Sequence, residues 1–227
     1  MRLTTLCSTA LLLSVLGWTG VPASATAAPA AQKATASTTA EVGKAAPDFE
    51  LMDTKGLMDP NGNAKPVSLK DFKGKTVVLE WFCPTCPFSG RASGKSIHST
   101  GRVQALLKKM KEVDPDAVYL LIDSSTKKMR VSAEELAKQD AEVAKKLGIT
   151  APILIDADTS VAKAYGARTT PHVFVIDGAG VLRYQGAFDD READGVNYPL
   201  NAVKAIKTGS TVEPTYVRQW GCGVKTG

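Results

Sequence analysis

The sequence predicts an α/β sandwich with a central mixed β-sheet flanked by helices. Two observations carry this. Apolar, β-branched runs alternate with segments of helical periodicity, and the series closes on a hairpin followed by a helix. The run at residues 75–82 has few breaks in its apolar character, as expected for a strand covered on both faces. Val103, Leu106, Leu107 and Met110 then recur at helical spacing, and residues 117–123 form a second strand. Ser132 with Glu135 three positions later is a capping box opening the next helix, and Gly148 is its stop. Residues 152–156 make a third strand, followed by a short helix near residues 160–165. Residues 173–176 run into the turn Asp177-Gly178, and residues 181–188 return as the hairpin partner. Residues 198–206 form a last helix, after which periodicity is lost.

The flanks of this domain differ in composition. Arg2 precedes an apolar run at residues 10–16 and the small-residue stretch Pro22-Ala23-Ser24-Ala25, the pattern of an export signal over residues 1–25. Ala25-Thr26-Ala27 offers a second cleavage site of the same form, and Cys7 is lost either way. The apolar run falls well short of the roughly 20 residues that span a bilayer, so a periplasmic or secreted chain with no stable membrane insertion is expected. Residues 26–42 are mostly Ala, Thr, Ser, Pro and Lys and read as a flexible linker, because they bury too little to offset their ordering entropy. The domain is expected over residues 43–212, with a tail at 213–227 that carries Cys222. The net charge of +5 is spread among interspersed acids and bases. Lys108, Lys109 and Lys111 lie on the polar side of a helix, so the chain lacks a nucleic-acid-binding stripe.

The chemistry is expected at Cys83-Pro84-Thr85-Cys86. A cysteine attacks only as thiolate, and a helix amino terminus lowers its pKa. Cys86 precedes Pro87, a favoured first helical residue, which predicts that Cys86 sits at a helix N-cap. Cys83, one turn earlier, makes the pair a candidate dithiol. Three cysteines remain after the signal is removed, so one thiol is left over in any monomer, and Cys222 is either a redox partner, a staple to Cys83 or an intermolecular link. A lone Cys-x-x-Cys lacks the second ligand pair of a structural zinc site, so neither metal nor cofactor is expected. Trp81 and Phe82 read as core or as apolar walls that receive an extended substrate, and His98 and His172 have no evident partner base or acid.

Residues 77–88 followed by Thr169-Thr170-Pro171 resemble the thioredoxin-like superfamily, and in particular its redoxin and peroxiredoxin-like extracytoplasmic branch. The openings Gly43-Lys44-Ala45-Ala46-Pro47-Asp48-Phe49 and Val67-Ser68-Leu69-Lys70-Asp71-Phe72 extend the likeness, which covers most of residues 43–207. The resemblance implies a thioredoxin-like sandwich in which Cys86 is the attacking thiol, six residues after the acidic Glu80 and two after Pro84. It implies Glu80 as proton acceptor, Pro171 as a cis-proline facing Cys86, and Thr170 as the residue whose backbone pairs with substrate. Ser89 occupies the position of the family's resolving cysteine, which leaves Cys83 or Cys222 to resolve. The implied activity is thiol-disulfide exchange with protein disulfides or a dithiol partner. Alternatives are a thiol peroxidase acting on peroxide, although Cys83 and Leu79 stand where the peroxidatic motif has other residues, and a copper-binding module.

Overall fold

The computed structural model describes residues 39–59, 61–192 and 195–226. The expected signal peptide, Cys7 and most of the linker lie outside these residues. The last stretch of the expected linker belongs to the fold: Ala40 is buried and donates its N–H to the Ala164 carbonyl at 2.8 Å, and Val42 packs on the same apolar cluster.

The chain opens with β1 (Glu50–Leu51), α1 (Thr54–Leu57) and β2 (Val67–Ser68), β1 and β2 pairing antiparallel as a small separate sheet. A 3-10 turn at Leu69–Phe72 leads into β3 (Val77–Phe82), followed by α2 (Arg102–Val113) and β4 (Val118–Asp123). Then come α3 (Thr126–Met129), α4 (Ala133–Leu147), β5 (Ile153–Ile155) and α5 (Ser160–Tyr165). The last part comprises β6 (Thr169–Thr170), β7 (Val173–Ile176), β8 (Leu182–Gly186), α6 (Tyr198–Thr208), β9 (Tyr216–Val217) and β10 (Cys222–Gly223). The main sheet has six strands in the order β5-β4-β3-β7-β8-β9. β3, β4 and β5 run parallel, β7 and β8 antiparallel, and β9 parallel to β8, so the sheet is mixed and α/β as expected.

The side chains of β3 alternate between two cores, the period of two that a pleated strand imposes. Val78 and Phe82 join the apolar side chains of α2, α4 and α6 on one face. Val77, Leu79 and Trp81 join Phe49, Phe174 and the buried face of α5 on the other. Each such fully buried side chain contributes about 1.5–3 kcal/mol of transfer free energy, which makes the carboxyl end of β3 a rigid base for the turn that carries Cys83 and Cys86. Half of the expected capping box and the expected stop are present at α4: the Ser132 side chain accepts the Glu135 N–H at 3.2 Å, and Gly148 ends the helix in the left-handed conformation.

Two segments depart from the expectations. No helix starts at Pro87. Residues 87–90 form a turn, and the next helix is α2, beginning at Arg102 after a loop rich in Gly and Ser. Gly90 explains part of this, because a Cβ there would stand 2.5 Å from the Cys83 carbonyl and 2.6 Å from the Phe82 ring, so the turn packs back onto the end of β3. The expected tail is not featureless either: β9 extends the main sheet, and β10 pairs antiparallel with β6 in the register Cys222 to Thr170 and Gly223 to Thr169.

Candidate functional site

The site forms where the carboxyl end of β3, the bend between β6 and β7 and the tail meet. Cys86 is 1 % exposed. Its N–H donates to the Cys83 carbonyl at 3.1 Å, closing a turn over Pro84 and Thr85, and its thiol donates to the Thr170 carbonyl at 3.1 Å. The Thr170-Pro171 peptide bond is cis. Cys222, half-buried, stands directly opposite Thr170 in the β6–β10 ladder. The structure thus brings Cys86, Thr170, Pro171 and Cys222 together. Cys83, Cys86 and Cys222 are all free thiols.

The environment sets the sulfurs apart. Burial pushes the Cys86 thiol up, but hydrogen bonds with the side chains of Thr170 and Cys222, and from the backbone N–H groups of Phe88 and Ser89, outweigh it and hold Cys86 below the ordinary thiol range. These N–H groups belong to the turn at 87–90, so a turn does what the sequence assigned to a helix terminus. Burial, together with the hydrogen bond to and charge of Cys86, pushes Cys222 up to about 11. The Thr170 hydroxyl is buried and has no other hydrogen-bond partner among the described residues, which leaves it available to the sulfur.

Cys83 is 0 % exposed, with its sulfur 3.4 Å from Thr85 Oγ1, and Pro84 is buried in the turn between the two cysteines. Glu80 is fully buried as well. Its carboxylate accepts from Tyr119 OH at 2.7 Å and Ser89 Oγ at 3.2 Å, and pairs with His98 Nε2 at 3.2 Å. Its hydrogen-bond partners among the described residues include no sulfur. Glu80 therefore ties the loop after Cys86 to the sheet, and Ser89, where a thioredoxin resembling this chain carries cysteine, supplies one of those ties.

Trp81 does not line a substrate surface. It is 0 % exposed, packed among Tyr165 and Phe174, with its indole N–H donated to Ser124 Oγ at 3.1 Å. The cause is its place on a central strand covered on both faces. His172 is also internal: Nδ1 accepts the Arg168 N–H at 3.3 Å, and burial, helped by the Arg168 charge, pushes the ring down to about 3, so it is neutral near pH 7.

Besides the pairing of His98 with Glu80, sequence reasoning missed two features. Asp123, opposite Phe82 in the β3–β4 register, lies against Asp140 of α4, both fully buried. Burial pushes Asp123 up to about 7 against the pull of Ser125. Burial also pushes Asp140 well up, and the Asp123 charge and that of Cys83 add to it. The second is Trp220, two residues before Cys222. Its ring meets Phe88 edge-on at 6.1 Å, with the guanidinium groups of Arg102 and Arg191 over it at 5.8 and 5.5 Å, and its N–H donates to the Asp189 carbonyl at 2.9 Å. The only sequence signal for either was residue type, since no periodicity links positions so far apart in the chain.

Among known proteins, the Redoxin family profile matches residues 41–198. The Clostridium pasteurianum protein named "Putative peroxiredoxin in rubredoxin operon" is 28% identical over 183 residues, covering 74% of this chain and 90% of that one. A hypothetical protein from Sinorhizobium meliloti is similar in structure, with a TM-score of 0.62 and 26% identity over 83% of this chain and 96% of its own. An uncharacterized conserved protein from Geobacillus kaustophilus gives a TM-score of 0.63 with 25% identity, over 82% of this chain and 92% of its own.

Proposed function

Because the chain belongs to the Redoxin family, we propose that it is an exported thiol-disulfide oxidoreductase whose working pair is Cys86 and Cys222. The observation that carries this reading is the ladder that sets Cys222 opposite Thr170, the residue whose carbonyl accepts the Cys86 thiol. In the first step the Cys86 thiolate attacks one sulfur of a substrate disulfide, forming a mixed disulfide and releasing the other sulfur as thiolate. Cys222, having given up its proton to that thiolate, then attacks Cys86 Sγ. The substrate's second sulfur leaves, and the Cys86–Cys222 disulfide remains, two electrons having passed to the substrate. An external dithiol restores the pair. The unequal acidity of the two sulfurs suits these roles, since a low-pKa thiol attacks as thiolate near neutral pH and leaves readily, whereas a high-pKa one is the stronger nucleophile once deprotonated.

Cys83 suits the resolving role less well, being fully buried and held in the turn. Thr170, Pro171 and Pro84 shape the Cys86 surroundings, and Glu80 braces the loop in place of accepting the proton. Export rests on the amino-terminal pattern of Arg2, apolar run and Ala25; among the described residues no helix is long and apolar enough to cross a membrane. A second reading has support from the name of the Clostridium pasteurianum relative, a peroxiredoxin. In it Cys86 attacks a hydroperoxide, takes one oxygen as sulfenic acid and releases an alcohol, and Cys222 then displaces that oxygen as water to give the same disulfide.

The test is to assay the wild type and the Cys83→Ser, Cys86→Ser and Cys222→Ser variants for disulfide reduction and for peroxide consumption with a dithiol donor. Disulfide turnover lost in Cys86→Ser, strongly reduced in Cys222→Ser and retained in Cys83→Ser is expected. Peroxide consumption without disulfide turnover selects the second reading, and full turnover by Cys222→Ser rejects the pair.

A further inference from the structure

With the tail seated, the sulfur of a substrate cannot reach Cys86. The thiol is 1 % exposed, and the space beside it along β6 holds Cys222. Cys86 chemistry on any protein disulfide therefore requires the tail to lift off first. The tail from Trp220 onward is held by a two-residue ladder, by the Val224 N–H donated to the Arg168 carbonyl at 2.9 Å and the Val224 side chain on the apolar cluster, by the Thr159 hydroxyl donated to the Thr226 carbonyl at 3.0 Å, and by the Trp220 side chain. Cys222 and Trp220 are only half-buried and Gly223 is exposed.

What the tail vacates has a defined chemistry. One part is the backbone edge of Thr169-Thr170, an unpaired strand edge of the kind that extended peptides join by main-chain hydrogen bonds. The other is the slot lined by Phe88, Arg102, Arg191 and the Asp189 carbonyl. It offers an edge-on aromatic contact, two guanidinium groups and one hydrogen-bond acceptor, a set that favours an electron-rich aromatic ring with an N–H or O–H to donate. Arg102 is itself fixed by its ion pair with Asp189 at 2.6 Å. The residue between slot and ladder must be small, because a Cβ on Gly221 would lie 2.3 Å from the Thr170 carbonyl oxygen.

We propose that this seat is the docking site for an extended segment of a partner protein that carries a disulfide cysteine, with Trp or Tyr two residues before that cysteine and Gly between them, and that the chain's own tail is its tethered resident. Substrate segment and tail then take the seat in turn. The partner enters when the tail lifts, its cysteine opposite Thr170 is captured by Cys86, and the returning tail displaces it while Cys222 resolves the bond. The inference rests on Cys86 being the attacking thiol.

The test uses the Cys222→Ser background, in which capture is read without resolution. The probe is a peptide of the sequence of residues 218–224, with its cysteine in mixed disulfide with 2-nitro-5-thiobenzoate. Attack by the Cys86 thiolate forms the Cys86–peptide disulfide and releases the coloured thiolate. A second peptide has Ala in place of the Trp, and the symmetrical aromatic disulfide of the same reagent is the small probe. Adding Trp220→Ala, or ending the chain after residue 218, opens the seat. Capture of the Trp peptide is expected to rise about fivefold more than capture of the small probe, and to exceed capture of the Ala peptide by about fivefold in the opened protein. Equal rates for the two peptides, or no gain for the Trp peptide over the small probe in either opened variant, overturn the docking site while leaving Cys86 as nucleophile. Release by none of the probes overturns the Cys86 reading itself.

Discussion

The Thr170 carbonyl holds the Cys86 sulfur only while the sulfur carries its proton, since a carbonyl oxygen accepts and cannot donate. Once the proton leaves, the Thr170 hydroxyl, buried and otherwise without a partner among the described residues, is the group that can donate to the thiolate. Hydrogen bonds to charged groups are worth about 1.5–3 kcal/mol, so Thr170→Val is expected to raise the Cys86 pKa by about 1 to 2 units. The pH profile of Cys86 alkylation by iodoacetamide reads this directly: the thiolate appears as pH rises through the pKa, and the curve moves to higher pH in the variant. The Asp123–Asp140 pair carries a different dependence. Both folded-state pKa values lie above those of an unfolded chain, so the pair's stability contribution is full below about pH 4 and falls as pH rises through the Asp123 value of about 7. Asp123→Asn removes the charge that forms as pH rises through about 7, and at pH 8 it is expected to melt about 2–8 °C above the wild type, from roughly 1 to 2 kcal/mol, with no gain at pH 4. Thermal melts at the two pH values decide it. Neither pairing was readable from the sequence, because Asp123 closes an ordinary strand pattern and Asp140 lies within an ordinary helix. Cys86 and Thr170 were readable, each from its place in a local motif.

At the scale of elements, the strap running from Trp220 through β10 lies beside the sulfur, with Cys222 opposite Thr170 and Cys86 only 1 % exposed. Gly221 adopts φ +134° at the close approach to Thr170, so Gly221→Ala strains the backbone and clashes with that carbonyl. Its expected effect is to unseat β10 and speed alkylation of Cys86 by about tenfold, with far-UV circular dichroism unchanged. An unaltered alkylation rate means that β10 does not guard the thiol. The same element shows where sequence patterns stop. β3, β4 and α4 are long enough to repeat a period or carry both a cap and a stop, and each was legible. β6 and β10 are two residues each and have no period to detect. The segment after Cys86 misled for another reason: Pro87 suits a first helical turn, but Gly90 packs against the end of β3 and no helix forms before Arg102.

At the scale of the whole molecule, the proposed working pair joins residues more than a hundred positions apart, Cys86 after the first long strand and Cys222 near the end of the chain. A disulfide between them closes a very long loop, and in the chain-entropy model such closure stabilises by about 2–4 kcal/mol or more. Oxidised protein is therefore expected to melt at least about 5 °C above the reduced form, and Cys222→Ser should abolish that difference in a calorimetric scan. The α/β sandwich and its mixed sheet were legible because they follow from strand and helix order, whereas this closure depends on where the tail goes after α6, which no local pattern states. The tail's two anchors, Trp220 in its slot and Cys222 opposite Thr170, also impose a parity on the chain. Successive side chains of a strand point to opposite faces, so one residue inserted or deleted between the anchors turns the sulfur away from Cys86 while the indole stays seated. The spacing between the two anchors is accordingly expected to matter as much as their identity.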